Sequence, residues 1–254
     1  MAEYVLNNDF KPAIVIPVYN HEAAIENTLN KVLKYGYPVV LVNDGSHEKC
    51  RNVLEKLAQK HREAVYLVQL DVNKGKGGAV KAGMRFLLSQ GFSHALQVDA
   101  DGQHNISDLP LFIEMAKKEQ SSLICGAPIY DASVPKHRYY SRYLTHVWVW
   151  INTLSFDIKD SMCGFRVYPL DKICKQLDRN DCGNRMSFDT EVVVRWLWSG
   201  NKVTNLPTKV LYPKDGVSHF KAVKDNVLIS WMHTRLFFGM VLRLPVILWN
   251  KRHD

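Results

Sequence analysis

Short runs of Val, Ile, Leu and Ala alternate with longer segments of helical period through the first half of the chain. The runs predict strands at residues 13–18, 39–43, 65–70, 95–98 and 123–125, with helices between them. Polar residues do not alternate strictly within the runs, as expected of a parallel sheet covered on both faces. Past Pro128 come a Tyr- and Trp-rich helical stretch, a short strand around residues 165–168, a helix through 191–198 and a last strand near 209–212. No Gly-, Pro- or Ser-rich linker divides the chain. The pattern predicts an α/β domain over residues 1–218 and a helical tail over 219–254.

In such sheets, ligand groups collect in loops beyond the carboxyl ends of the strands. Three polar clusters stand there: Pro17-Val18-Tyr19-Asn20, Asn43-Asp44-Gly45-Ser46 and Asp99-Ala100-Asp101-Gly102-Gln103-His104. Asp99 and Asp101 share one turn and repel without a counterion, and a hard divalent ion such as Mg²⁺ or Mn²⁺ suits them. Such an ion keeps positions for water and phosphate oxygens, so the pair points to a diphosphate-bearing ligand, with Gln103 as a further oxygen donor. The alternative is a pair of turn formers before Gly102, with Asp108 capping the next helix. Asn73-Lys74-Gly75-Lys76-Gly77-Gly78-Ala79 opens a helix. It can offer backbone N–H groups, Lys74 and Lys76 to an anion, or form a tight turn with solvated lysines. It is not a nucleotide P-loop, which needs G-x-x-x-x-G-K-[ST].

A composition of 46% hydrophobic and 23% charged residues excludes disorder as the dominant state. The formal charge of +8 suits anionic lipid, a polyphosphate or nucleic acid. No nucleic-acid module is recognisable, so nucleic acid is the least expected of the three partners. Five cysteines, without a C-x-x-C pair, argue against a disulfide framework and a structural zinc and imply a reducing, cytosolic environment. Residues 1–11 do not read as a secretory signal, and Arg235 and Arg243 interrupt the most apolar stretch, so no membrane span is expected.

The ordered motifs together resemble the family 2 glycosyltransferases of the GT-A fold, nearest the dolichol-phosphate mannose synthase branch. The residues carrying the resemblance are Pro17 to Asn20 with Glu22, Asn43 to Ser46, Asn73 to Gly83, Asp99 to His104, Cys163-Gly164-Phe165-Arg166, and Phe188-Asp189-Thr190-Glu191 with Arg195. The resemblance implies a Rossmann-like, mostly parallel sheet and a nucleotide-diphospho-sugar donor, UDP- or GDP-linked, whose sugar is transferred with inversion. It implies a base lodged near Pro17, Tyr19 and Glu22, and Asp44 on the nucleoside. Lys76 joins the donor set, Asp99, Asp101 and Gln103 match the metal and diphosphate ligands, and Arg142 matches a phosphate-facing arginine. Asp189 and Glu191 are candidates for the general base that an acceptor hydroxyl would need, and an anionic phosphate acceptor would need none. Their alternative is helix N-terminal acids that favour the helix dipole. Cys163 reads as a small packing residue.

Two positions depart from the mannose synthase pattern. Gly126-Ala127-Pro128 replaces Gly-Ser-Arg, and Ser218-His219-Phe220 replaces Ser-Lys-Leu, so Lys136 or Arg138 would have to substitute for a phosphate-binding arginine. A lipid or lipid-linked acceptor is expected, without its identity.

Residues 221–252 are dominated by large apolar side chains. Drawn as one helix, they gather Lys221, Lys224, Arg235 and Arg243 within an arc of about 100°. This suits a helix lying on an anionic, cytoplasm-facing membrane surface with Trp231 and Trp249 near the headgroups. The alternative is a helix pair, split near Pro245, that packs on the domain or on another subunit. Asp-x-Asp phosphohydrolases also begin with Asp-x-Asp-Gly, but on their first strand and followed by Thr or Ser. Here the pair follows the fourth strand and precedes Gln103. The remaining rival is an inactive domain acting as a membrane-bound binding module.

Overall fold

The computed structural model describes residues 10–129, 136–180, 182–210 and 222–253. Among the described residues seven strands form one sheet: β1 (Pro12–Val18), β2 (Val39–Asp44), β3 (Val65–Leu70), β4 (His94–Gln97), β5 (Leu123–Ile129), β6 (Arg166–Pro169) and β7 (Val203–Lys209). Their order across the sheet is β3-β2-β1-β4-β6-β5-β7. The pairs β1–β2, β2–β3, β1–β4 and β5–β7 are parallel, and β6 runs antiparallel to both of its neighbours. The helices are α1 (Ile25–Leu33), α2 (Glu48–Lys60), α3 (Lys76–Ser89), α4 (Leu109–Lys118), α5 (Lys136–Thr153), α6 (Leu170–Arg179), α7 (Phe188–Trp198) and α8 (Ala222–His253).

The uninterrupted apolar runs have a direct cause in the packing. Val15, Val40 and Val42 enter one core cluster, while Ile14, Ile16, Val39 and Leu41 enter the other. Successive side chains of a strand point to opposite faces, so burial on both faces removes the polar alternation. The first four strands lie within a residue of their expected bounds. β5 runs on through Gly126-Ala127-Pro128 because those residues pair in register with Leu206, Pro207 and Thr208 of β7. β7 itself lies earlier than expected. It is the sheet's edge, where a half-exposed strand carries polar residues and tolerates Pro207. Thr204 and Asn205 hydrogen-bond to Glu119 and Asp157.

The C-terminal segment is a single helix of 32 residues that continues through Pro245, and it does not split there. Met232, Leu236, Met240 and Ile247 are buried in the same cluster as β1, α3 and α7. Arg235 reaches Glu191 of α7 at 3.3 Å, and the Arg243 guanidinium lies 5.3 Å from the Trp198 ring centroid. These two arginines therefore address the domain, because a buried carboxylate and an aromatic face wait for them there, and they do not form an outward basic arc. The outward side is apolar: Val227, Trp231, Phe238, Leu242 and Trp249 are exposed. At about 100° per residue these five fall within an arc of about 60°, roughly opposite the packed stripe. Against expectation, residues Asp225–Trp249 are long and apolar enough to cross a membrane. Tyr212, residues 218–221 and the side chains of Lys136, Arg138 and Lys224 lie outside what is described.

Because α8 is packed along its length, truncating its inner and outer residues should differ sharply. Leu236→Ala is expected to cost about 3 kcal/mol, and Leu242→Ala to stay within about 0.5 kcal/mol, both read from urea unfolding midpoints. Equal effects would mean that α8 is not part of the core.

Candidate active site

The carboxyl ends of β1, β2 and β4 open into a cleft of about 630 Å³. Two of the loops at its rim are tied together. Asn20, at φ 53°, donates its N–H to Ser46 Oγ at 3.1 Å, and its Oδ1 accepts the His47 N–H at 3.0 Å. Gly45, at φ +64°, brings the β2 turn against the backbone of Val72 and Asn73, where a Cβ would collide. Of the residues expected from the sequence, Pro17, Tyr19, Asp44, Lys76, Asp99 and Asp101 line this cleft.

Asp44 is an organiser of the loop that follows β3. Its carboxylate accepts the N–H groups of Lys74 at 2.7 Å and Gly75 at 2.8 Å and the Asn73 side-chain amide at 3.0 Å. Burial raises its pKa, while these backbone hydrogen bonds and the nearby Arg185 charge oppose the rise. The Gly78 N–H donates to Asn184 O, and the Ala79 N–H to Gly75 O. The sequence offered the Asn73–Ala79 backbone as a cradle for an anion, but several of those donors are spent inside the protein.

Lys76 is the centre of the site. Its Nζ lies 2.9 Å from Asp99 Oδ2 and 2.9 Å from Asp189 Oδ2. Burial disfavours a charged lysine, but Asp189 and Asp99 outweigh it and raise the ammonium pKa. In the same way burial would raise Asp99, yet Lys76 and then His104, 3.2 Å away, hold it well below the usual carboxylate range. Gly164 closes over the pair. A Cβ there would meet Gln97 Nε2 at 2.7 Å, Lys76 Nζ at 2.8 Å and Asp99 Oδ2 at 3.0 Å.

Among the described residues Asp101 lends only Oδ1, to the Gln103 N–H at 3.0 Å. Its second oxygen is available to a cation. Among the described residues there is no cluster of three or more His, Cys, Asp or Glu side chains that would cage an ion. A carboxylate or two with open positions is what Mg²⁺ or Mn²⁺ shares with a phosphate ligand, so these residues fit an ion that arrives with its anion.

The remaining expected residues stand elsewhere. Glu22 lies outside the cleft lining, near His47 and Lys49 at 3.6 and 3.9 Å. Gln103 contributes its backbone N–H to the Asp101 turn. Arg142 forms a two-pronged pair with Asp160, at 2.8 and 3.0 Å, and does not line the cleft. Asp189 lies behind Lys76, also outside the lining. Glu191, fully buried, accepts the Gly183 N–H and pairs with Arg195 and Arg235. Arg166 is likewise buried, donating to the Asp189 and Ser161 carbonyls. Burial pushes the Cys163 thiol up to about 12, in keeping with a packing role.

Four lining residues were missed: His21, between Asn20 and Glu22, Arg185 and Met186, from the loop before α7, and Asp225, at the start of α8. The signal for Arg185 was an arginine in a polar loop just ahead of the Phe188-Asp189-Thr190-Glu191 motif. No strand end marks that loop, so the search of strand ends passed over it.

Residues 13–174 match the sequence profile described as Glycosyl transferase family 2. The chain is 29% identical over 202 residues to a dolichyl-phosphate beta-glucosyltransferase, ALG5D, of Trichomonas vaginalis, covering 72% of this chain and 60% of that protein. It is 24% identical over 216 residues to the uncharacterized protein MJ0544 of Methanocaldococcus jannaschii, covering 83% of this chain and 92% of that one. Among solved structures, the mannosyltransferase PcManGT of Pyrobaculum calidifontis, in complex with GDP-Man and Mn²⁺, has the same fold. The TM-score is 0.56 at 14% identity, over 94% of this chain and 73% of that chain. The named relatives include several dolichyl-phosphate beta-glucosyltransferases, so the likeness is broader than the mannose synthase branch.

The Arg142–Asp160 pair gives a pH prediction. Burial opposes ionisation of Asp160, but His146 and Arg142 outweigh it and hold the carboxyl well below its usual range. Its stabilisation is therefore present above about pH 4, where an unfolded carboxyl titrates, and fades as the pH falls below that. Asp160→Asn is expected to cost about 3 kcal/mol at neutral pH. It should also lose less further stability than the unsubstituted protein between about pH 6 and about pH 3, measured by urea unfolding at each pH.

Proposed function

Since the chain belongs to glycosyl transferase family 2, we propose that it moves a sugar from a UDP- or GDP-linked donor onto the phosphate of a membrane lipid, with inversion at the anomeric carbon. The observation that carries this reading is the cleft at the ends of β1, β2 and β4, where Asp99 and Asp101 stand beside Lys76 and Arg185. The nucleoside lies toward Pro17, Tyr19 and Asp44, and the diphosphate over the Asp99–Asp101 turn. The placement of Asp101 after the central strand β4, with Gln103 behind it, speaks for transfer over phosphate hydrolysis.

A phosphate acceptor is supported by the placement of the two bases expected from the sequence. Neither Asp189 nor Glu191 lines the cleft, and each is tied to cations, Lys76 for the first and Arg195 with Arg235 for the second. A hydroxyl acceptor needs a base within hydrogen-bond reach, whereas an ionised phosphate attacks without one. The acceptor oxygen supplies the electron pair of the new bond to the anomeric carbon. The bond from that carbon to the donor's diphosphate breaks, and its pair stays on the departing nucleoside diphosphate. Mg²⁺ or Mn²⁺, held by Asp101 with Asp99, would supply Lewis-acid neutralisation of that growing charge. The protein's own part is to hold Asp99 ionised through Lys76 and to keep the turn rigid through the Gln103 N–H. The dolichyl phosphate in the names of several relatives supports a polyprenyl phosphate as the acceptor.

The outward stripe of α8 supports a membrane-surface location, and the five free cysteines suit the cytoplasmic side. A helix that packs on the domain through Met232, Leu236, Met240 and Ile247 is suited to lie along a bilayer, with Trp231 and Trp249 at the headgroup level.

Asp101→Asn is expected to lower sugar transfer by at least about 100-fold while leaving the thermal midpoint unchanged, assayed with labelled nucleotide-sugars, Mn²⁺ and a polyprenyl phosphate. Undiminished transfer by this variant would remove the metal assignment. Replacing both Trp231 and Phe238 with Ser should abolish co-sedimentation with anionic vesicles, and retained binding would show that α8 is not the contact.

A further inference from the structure

Among the described residues, the lysines and arginines that line the cleft are Lys76 and Arg185. They are placed very differently. Lys76 is committed to two carboxylates at 2.9 Å. Arg185 is exposed, and among the described residues its side chain has neither a hydrogen bond nor an ion pair within 4.0 Å. The nearest carboxylate whose ionisation it affects is Asp44, and that group is already occupied by the Lys74 and Gly75 N–H groups.

The loop that carries Arg185 is fixed from several sides. The Lys81 ammonium donates to the Cys182 carbonyl at 2.7 Å, and the Gly183 N–H donates to Glu191 Oε2 at 2.8 Å. The Asn184 carbonyl accepts the Gly78 N–H, and the Arg185 carbonyl accepts the Phe188 N–H, each at 3.0 Å. The backbone at Arg185 is thus held against Gly75, where a Cβ would come within 2.9 Å of the Arg185 side chain. A guanidinium on a pinned loop facing a cleft, with no hydrogen-bonding partner among the described residues, has donors ready for an oxyanion. At the start of α3 the N–H groups of Lys74, Gly75, Gly78 and Ala79 are spent on the protein, so a side-chain cation has to supply much of what the anion needs.

We propose that Arg185 binds the donor's diphosphate, taking from the loop wall the negative charge that the Asp99–Asp101 turn meets through its cation. This rests on the nucleotide-sugar reading given above. When the bond between the anomeric carbon and the diphosphate oxygen breaks, its electron pair stays on the diphosphate, and the fixed guanidinium stabilises the added charge. The free guanidinium stands beside Gly75 at the donor end, which favours the donor's phosphates over the acceptor's.

The test compares the intact protein with Arg185→Ala and Arg185→Lys, titrated calorimetrically in Mn²⁺ with UDP, GDP, uridine and guanosine. The Ala variant should lose about 10- to 100-fold in diphosphate affinity, the Lys variant should recover part of it, and nucleoside binding should not change. Full diphosphate affinity in the Ala variant, or an equal loss for diphosphate and nucleoside, would overturn the assignment. A variant whose KM rises only for the lipid phosphate would overturn it in favour of the acceptor. Failure of the unsubstituted protein to bind either nucleoside diphosphate would instead overturn the donor reading itself.

Discussion

The site is organised around one half-buried ammonium. Lys76 sits between Asp99, at the tip of β4, and Asp189, at the start of α7, and each ion pair supports the other at the floor of the cleft. Remove the lysine and two carboxylates face one another beneath Gly164, with His104, Gln97 and the buried Arg166 left to answer them. The geometry joins the two halves of the chain: α3 supplies the cation, and the sheet and α7 supply the anions. The position of the acidic turn, on which any cation and diphosphate depend, is set by this contact as much as by the strand that leads to it.

The polar groups around the cleft are mostly spent on its construction. Asp44 ties down the loop after β3, Ser46 and Asn20 lace β1 to β2, and Glu191 collects a loop N–H and two arginines. Buried polar groups are retained where their partners are satisfied, and the result is a stiff frame with few free side chains. Asp101 and Arg185 stand out against it because each keeps capacity for something that is not protein.

Much of the fold was legible from the sequence because burial on both faces of β1 to β4 writes itself as uninterrupted apolar runs. The acidic pair was legible for the same reason: it directly follows such a run. β7 was misplaced because an edge strand carries Thr, Asn and Pro, which look like loop. Arg142 and Glu191 were legible only as charged residues in motifs. Whether a charge serves a ligand or a neighbour depends on what the tertiary structure brings to it, and here Asp160 and Arg235 arrive from 18 and 44 positions away. Arg185 presents the reverse case, an arginine whose side chain no described residue meets with a hydrogen bond or an ion pair.

The first turn of α8 contributes Asp225 to the cleft, its middle binds Glu191 through Arg235, and its far side is a strip of Trp, Phe and Leu. Glu191 in turn holds the loop that carries Arg185. One rod is thus wall and tether at once, and its far side is the proposed membrane contact. On that proposal, whatever supports the rod from outside also sets the tilt of the proposed donor's seat, so this enzyme's catalytic competence in a detergent micelle and on a flat bilayer would be two different quantities.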